Sequence, residues 1–294
     1  DNLNNTKLIS AIMPDVTWIA GGYGGNILYR ERGTQSVHTT VFKNGIPQNT
    51  PGSGWYDFGH DFASGQTVKV ITGANGVIYG SGSMAGTVLI QDTIEHGITV
   101  RTEDADPTYI RIAPTDFIEF STFDDSMGSV RNDNEEIDNY KNRTARLNVD
   151  VGDFTIVGKF TEYEYDYDNC YTASFSQTND CVQSGNKGTL SLRNDNYTFG
   201  YTFNDTEYKT EGVQTFKSDA ERAYVDTRHQ IGNTLVGGTV EYEKYSDFDQ
   251  NQLSVYSLSN FNTFDVGFRL SEDAFVYRIG HEKGNWFSSF GTSY

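Results

Sequence analysis

Residues 77–91, VIYGSGSMAGTVLIQ, hold the most suggestive spacing in this chain. The glycines and serines of Gly80-Ser81-Gly82-Ser83-Met84-Ala85-Gly86 follow an apolar run, as phosphate-cradling loops do. A P-loop needs a lysine directly after its last glycine, and none follows here. A dinucleotide fold needs a helix after the glycines, to bring its N-terminal dipole to the phosphate. Thr87-Val88-Leu89-Ile90 is a strand former instead. The cluster is therefore read as backbone that must turn tightly or pass close to another surface, where a side chain would obstruct. Other chemistry is thinly supported. The five histidines (38, 60, 96, 229 and 281) are scattered, and neither GxSxG nor HExxH occurs. No enzymatic grouping stands out.

Cys170 and Cys181 lie in NCYTASFSQTNDC, without the CxxC or histidine partners of a zinc site. The expected reading is a disulfide pinning a long loop, in an oxidising compartment. Two unpaired thiols are the alternative.

These residues sit in two regions of different grammar. Residues 1–95 mix a short helical pattern, TKLISAIM (6–13), with short apolar runs separated by glycine-rich turns. That mixture predicts a small α+β domain. From residue 96 the pattern has period two. Tyr197, Phe199, Tyr201 and Phe203 share one face of NYTFGYTFN. Ala145, Leu147, Val149 and Val151 oppose Arg146, Asn148 and Asp150. Phe264, Val266, Phe268 and Leu270 oppose Asp265, Gly267 and Arg269. Such segments are strands with one apolar and one polar face.

Tight turns are expected at Gly152-Asp153, Asn194-Asp195, Gly232-Asn233, Asn260-Phe261-Asn262 and Gly284-Asn285. Longer polar connections are expected at 163–186, 204–219 and 245–251. Alternating short and long connections over roughly ten strands fit an antiparallel up-and-down transmembrane barrel, present in part. A soluble β-sandwich alternates in the same way. Aromatic residues near strand ends, and Asp, Arg, Asn and Gly on the polar face, favour the barrel.

Composition agrees. Glycine is abundant at 30 residues and proline scarce at 5, with 19 each of Tyr and Phe, which suits strands joined by polar turns. A net charge of −18 argues against a nucleic-acid partner. No stretch approaches the ~20 apolar residues of a membrane helix, a test that a barrel evades.

The segment TGANGVIYGSGSMAGTVLI (72–90) resembles the RGPxSxxYGxxAxGGVINI segment of the plug domain of TonB-dependent outer-membrane receptors. Tyr79, Gly80, Gly82 and Gly86 are the carried positions. YRERGTQ (29–35) is similar to the family's IRG segment through Arg32 and Gly33. VFKNGIPQN (41–49) is similar to its DGVxxN turn through Asn44 and Gly45. The three stand in the family's order, ahead of barrel-like sequence. Thr72 replaces the family's Arg, and Asn44 its turn Asp, at positions that help seat the plug.

The barrel part resembles most closely the vitamin B12 (cobalamin) receptors. NWFSSFGTSY (285–294) looks like a family strand that lies midway round the barrel. The resemblance thus implies a plug (1–95) and the N-terminal part of a barrel (96–294). A complete small barrel ending on the aromatic Tyr294 is the alternative, although ~10 strands could hardly enclose such a plug.

The resemblance further implies a bacterial outer-membrane location, contact with the outer-membrane lipid, and uptake of a scarce small-molecule nutrient. That nutrient would be cobalamin, or, in the rival reading, a ferric siderophore. A passive barrel is the other rival. TonB is the implied partner, through a box expected ahead of residue 1. In the family the ligand meets the plug's outward apices. Here those are 22–25 and 50–61, with Trp55, Tyr56, Phe58 and His60 offering rings and hydrogen bonds. No cofactor is required. Calcium is implied for the acidic loops, with Asp124, Asp125, Asp133, Glu135, Asp138 and Asp205 as candidate ligands. A solvated acidic loop is the alternative.

Overall fold

The computed structural model describes residues 16–20, 27–31, 35–50, 54, 56, 58, 66–71, 73–80, 83, 85–102, 108–125, 139–167, 170–172, 174–246, 248–261, 264–272, 274–281 and 287–293. The expected helix at 6–13 lies outside them.

The first region is a small sheet. β1 (Val16–Ala20) and β2 (Ile27–Glu31) form an antiparallel pair. β3 (Thr39–Lys43), β4 (Ile46–Pro47), β5 (Gln66–Ile71) and β6 (Gly86–Asp92) form a four-stranded sheet in the order β4-β3-β6-β5. β3 and β6 run parallel, so the sheet is mixed. A 3-10 turn spans Gly73–Tyr79. Val41, Phe58, Val88 and Ile90 form its buried core.

The second region is one antiparallel wall. Its strands are β7 (Gly97–Thr102), β8 (Thr108–Thr115), β9 (Ile118–Asp125), β10 (Tyr140–Val151) and β11 (Phe154–Tyr167). Two two-residue strands, β12 (Cys170–Tyr171) and β13 (Gln177–Thr178), pair with each other in the next connection. The wall resumes with β14 (Cys181–Arg193), β15 (Tyr197–Thr210), β16 (Val213–Ile231) and β17 (Thr234–Tyr245). It ends with β18 (Phe248–Phe261), β19 (Phe264–Ser271), β20 (Ala274–His281) and β21 (Phe287–Ser293). Thirteen strands pair in sequence order without closing, β12 and β13 standing apart. The period-two count finds roughly ten, because strands of six to eight residues such as β7 and β8 show too few alternations.

Alternation sets the faces as expected. Val149, Ile156, Leu192, Phe199, Val225, Val240 and Leu253 stand opposite one another in a row across seven strands. The last five are exposed large apolar side chains. Such a belt is too large for a surface facing water, and suits lipid. The opposite face buries Arg146, Arg222, Arg269 and Arg278. No helix among the described residues is long and apolar enough to cross a membrane.

One rim carries the short turns. Gly152-Asp153 and Gly232-Asn233 each join two strands directly. At the next, Asn194 Oδ1 accepts from the N–H groups of Asn196 (2.9 Å) and Tyr197 (2.8 Å), which closes the turn. The opposite rim departs from expectation. Residues 204–219 do not form a loop: β15 and β16 continue through them and turn only at Glu211-Gly212. Likewise β17 and β18 continue through most of 245–251. β16 reaches 19 residues, where about 9–11 cross a bilayer. Backbone pairing persists past the membrane, but polar residues on both faces hide it from an alternation test.

Cys170 and Cys181 are joined, closing the connection between β11 and β14. Replacing both with Ser is expected to remove about 3 kcal/mol of local constraint by the chain-entropy argument. Limited proteolysis should then cut faster between positions 170 and 181, and the wall's melting temperature should fall. An uncut loop would refute the constraint.

Candidate functional site

The seam between the small sheet and the polar face of the wall gathers most of the buried charge. It begins at a two-residue turn. Asn44 and Gly45 both adopt positive φ, 51° and 86°, and fold β4 back on β3. Asn and Gly tolerate that conformation best, which explains the NG pair. Gly45 also lies close to the wall: a Cβ there would stand 3.3 Å from Thr198 Cγ2.

Beyond the turn, Ile46 is fully buried against the wall (0% exposed), beside Phe42 and Tyr224. The wall makes room with Gly200, where a Cβ would come within 2.3 Å of Ile46 Cδ1. Close approach of backbone to a neighbouring surface is observed at Gly45 and Gly200, with Gly76 at a third point. Gly80 has φ 115° and open space around it, and serves a turn. Gly86 is buried in β6, and Gly82 lies outside the described residues.

Asn44 explains one departure from the family pattern. Its Nδ2 donates to Asp92 Oδ2 (2.8 Å), and its Oδ1 accepts from the Asp92 N–H (2.9 Å). An aspartate at 44 would set two carboxylates together, whereas the amide can both donate and accept. Asp92 also takes Gln66 Nε2 (2.6 Å) and the ammonium of Lys43 (3.6 Å).

Across the seam Arg146 Nη1 lies 3.5 Å from Asp92. Its Nε and Nη2 donate to Glu119 Oε1 at 2.9 and 2.6 Å. Arg111 Nε donates to the other Glu119 oxygen (2.5 Å). The charges thus alternate from Lys43 through Asp92, Arg146 and Glu119 to Arg111, all buried. That alternation offsets the cost of burying each ion.

Further along the wall the anchors are arginines on small-domain backbone or hydroxyl oxygens. Arg222 Nη1 donates to the Pro47 carbonyl (2.7 Å), while its Nε pairs with Glu241 (2.5 Å) and Glu243 (2.9 Å). Arg269 Nη1 donates to the Ile78 carbonyl (3.2 Å). Arg278 Nη1 donates to Ser83 Oγ (3.2 Å). Tyr79, the motif tyrosine, packs edge-on against Phe42 with ring centroids 5.1 Å apart. Burial pushes its phenol above the ordinary value, opposed by Arg228.

These contacts lie toward the short-turn rim or midway up the wall. Toward the other rim, Tyr109, Phe123, Tyr140, Tyr163 and Tyr165 cluster on the same inner face. Tyr165 donates to Gln183 Oε1 (2.5 Å), and Lys187 lies over the Tyr163 ring.

Other candidates are placed as follows. Phe58 is a core residue (1% exposed), and Tyr56 stacks edge-on against it at 4.7 Å. The loop folds these rings into its own sheet, so Phe58 presents no surface to a ligand. Trp55, His60, Arg32 and Gly33 lie outside the described residues, as do Asp133, Glu135 and Asp138. Asp124 ends β9 beside Asp125, whereas Asp205 is on β15, four strands away, roughly 19 Å by strand spacing. The structure does not bring Asp124 and Asp205 together, and Asp205 faces Lys217 at 3.5 Å. No group of three His, Cys, Asp or Glu among the described residues could hold a metal ion.

Residues 2–87 match the TonB-dependent Receptor Plug Domain family. The whole chain superposes on known receptors. Against the siderophore receptor PirA from Acinetobacter baumannii the TM-score is 0.59, with 13% identity, 98% of this chain and 58% of that one. The chain has the fold of a TonB-dependent outer-membrane receptor.

Against the ferric enterobactin receptor PfeA from Pseudomonas aeruginosa, in complex with enterobactin, the receptor fold scores 0.61 with 12% identity, covering 99% of this chain and 60% of that one. Against the pyoverdine receptor FpvA from Pseudomonas aeruginosa PAO1, bound to pyoverdine, it scores 0.54 with 11% identity, covering 95% and 54%. The chain therefore spans less than two thirds of the structures it matches. No curated protein sequence matches it. The small sheet is the plug, the wall is barrel, and the apolar belt lies in the outer membrane.

The seam contacts were not individually foreseeable. The wall arginines stood on the expected polar face, but their partners are up to 195 positions away in sequence. The one available signal was the NG turn itself, a hairpin mark with an apolar residue directly after it.

Proposed function

We propose that this chain is the plug-bearing part of a receptor that imports a ferric siderophore, with TonB supplying the energy. The observation that carries the reading is the seam. The plug is held to the wall by buried ion pairs and by arginine anchors on its backbone, so it cannot shift unless those contacts rearrange. Work must be supplied from outside the membrane-embedded part, which is the task TonB would perform. This argues against a passive barrel.

The preference for a siderophore over cobalamin rests on two supports. The similar structures reported above are described as siderophore receptors or hold a siderophore. The inner wall toward the long-connection rim is also aromatic and carries Lys187, a setting that suits an anionic chelate built from aromatic donor groups. Nothing described favours cobalamin.

The test is tryptophan fluorescence of the detergent-solubilised receptor, expressed from its complete gene. Ferric enterobactin, ferric pyoverdine and cobalamin are titrated in parallel. Saturable quenching by a ferric siderophore is the expected result. Saturable quenching by cobalamin alone would overturn the proposal.

A further inference from the structure

Arg278 is the anomaly of the seam. It lies on β20 with 1% of its surface exposed, among the largest fully buried side chains described. Its Nη1 reaches Ser83 Oγ, but its Nε and Nη2 are buried without any hydrogen-bond partner. The other seam arginines named above are provided for. Arg146 and Arg111 share Glu119, Arg222 has Glu241 and Glu243, and Arg228 has Asp226. Arg269 donates to two hydroxyls and a carbonyl. No carboxylate pairs with Arg278 among the described residues, and the charged group that acts on it is another cation, Arg269.

A buried guanidinium with two unsatisfied donors and a like charge nearby is costly unless something negative is present. The two orphan donors are adjacent on the guanidinium and form one edge of its fork, the edge that chelates a single acceptor. Ser83 cannot supply that acceptor. Its Oγ lies at the Nη1 end, and it is 2.6 Å from the Gly76 carbonyl and 2.7 Å from that of Gly80. Gly76 lets the plug backbone close on the Nη1 end of the guanidinium, since a Cβ there would meet Arg278 Nη1 at 2.4 Å. With 1% of the residue exposed, whatever meets the free edge must be small.

We propose that the Nε and Nη2 edge of Arg278 binds a small inorganic monoanion, chloride, within the plug–wall seam. The ion supplies the counter-charge that this part of the seam lacks. It ties the 3-10 turn of the plug to β20 and makes the seating of the plug depend on the anion present. This inference is independent of which nutrient the receptor carries.

Two measurements on the detergent-solubilised receptor test it. Crystals grown or soaked in sodium bromide are examined for anomalous scattering, with a peak expected beside Nε and Nη2 of Arg278. Thermal unfolding is compared in sodium chloride and sodium gluconate at equal ionic strength. Chloride should raise the melting temperature by roughly 3 °C or more, and Arg278→Met should abolish that difference. A map without bromide at the fork, or with a carboxylate side chain filling it, would overturn the proposal. So would equal melting temperatures in the two salts, or a chloride effect that survives in Arg278→Met. If that variant fails to fold, the bromide map on the unaltered receptor decides alone.

Discussion

Replacing Gly200 with valine is expected to unseat the plug. A Cβ at this position would stand 2.3 Å from Ile46 Cδ1 and 2.5 Å from Ile46 Cγ1, far inside contact distance. Ile46 has little freedom to yield. It is fully buried, packed with Phe42 and Tyr224, and the Asn44-Gly45 turn fixes its backbone. Overpacking of this kind costs about 1–3 kcal/mol, and more where the neighbour cannot move. The wall is held by its hydrogen-bonded ladder, so the plug should shift rather than the strands. Protease protection of the plug in detergent should fall, while the wall's own unfolding transition stays in place. Ile46→Ala alone should also cost about 2–5 kcal/mol through the cavity it leaves. The two together should cost less than their sum, because each relieves the other's defect. Unchanged plug protection in Gly200→Val would show that Ile46 does not seat the plug.

Arg146→Met should have the larger electrostatic effect. Arg146 contacts both Asp92 and Glu119 and so joins the two halves of the seam. Its removal leaves two buried carboxylates without their shared guanidinium, Asp92 beside Lys43 and Glu119 beside Arg111. Removing one partner of a buried ionic group costs about 3–5 kcal/mol, mostly the penalty of the charge left behind. Denaturant unfolding of the plug, followed separately from the wall, should move to lower concentration. Adding Glu119→Gln to Arg146→Met should restore part of the loss, since it removes one stranded charge. Arg146→Lys should fall between, because an ammonium cannot bridge both acids as the guanidinium does. If Arg146→Met and the unaltered receptor unfold alike, the seam is held by packing and the ion chain contributes little.

These effects are large because the described ion pairs and the Ile46 contact between plug and wall are buried. The same feature bounds what could be read beforehand. Arg146 and Arg269 were assigned to the polar face by alternation alone, and both prove to face inward. Their partners were not assignable. Glu119 lies 27 positions from Arg146, and Ile78 lies 191 from Arg269. Nothing local connects such pairs until the strand register and the position of the plug are set. Phe58 shows the converse. Its aromatic, glycine-rich loop suggested an exposed apex, yet the ring completes a core whose other members come from β3 and β6.

Taken alone, the sequence determined the period-two wall, which residues face lipid, where the short turns fall, the order of the plug motifs and the linked cysteines. Each of these depends on neighbours along the chain, whether through pleat, turn conformation or loop closure. Tertiary structure alone decided that 204–219 continues as a hairpin and that Asn44 secures Asp92. It alone placed Gly200 opposite Ile46 and left Arg278 without a carboxylate partner among the described residues. Those facts arise where distant strands come into register, and the energy of such a contact belongs to the pair rather than to either stretch of sequence.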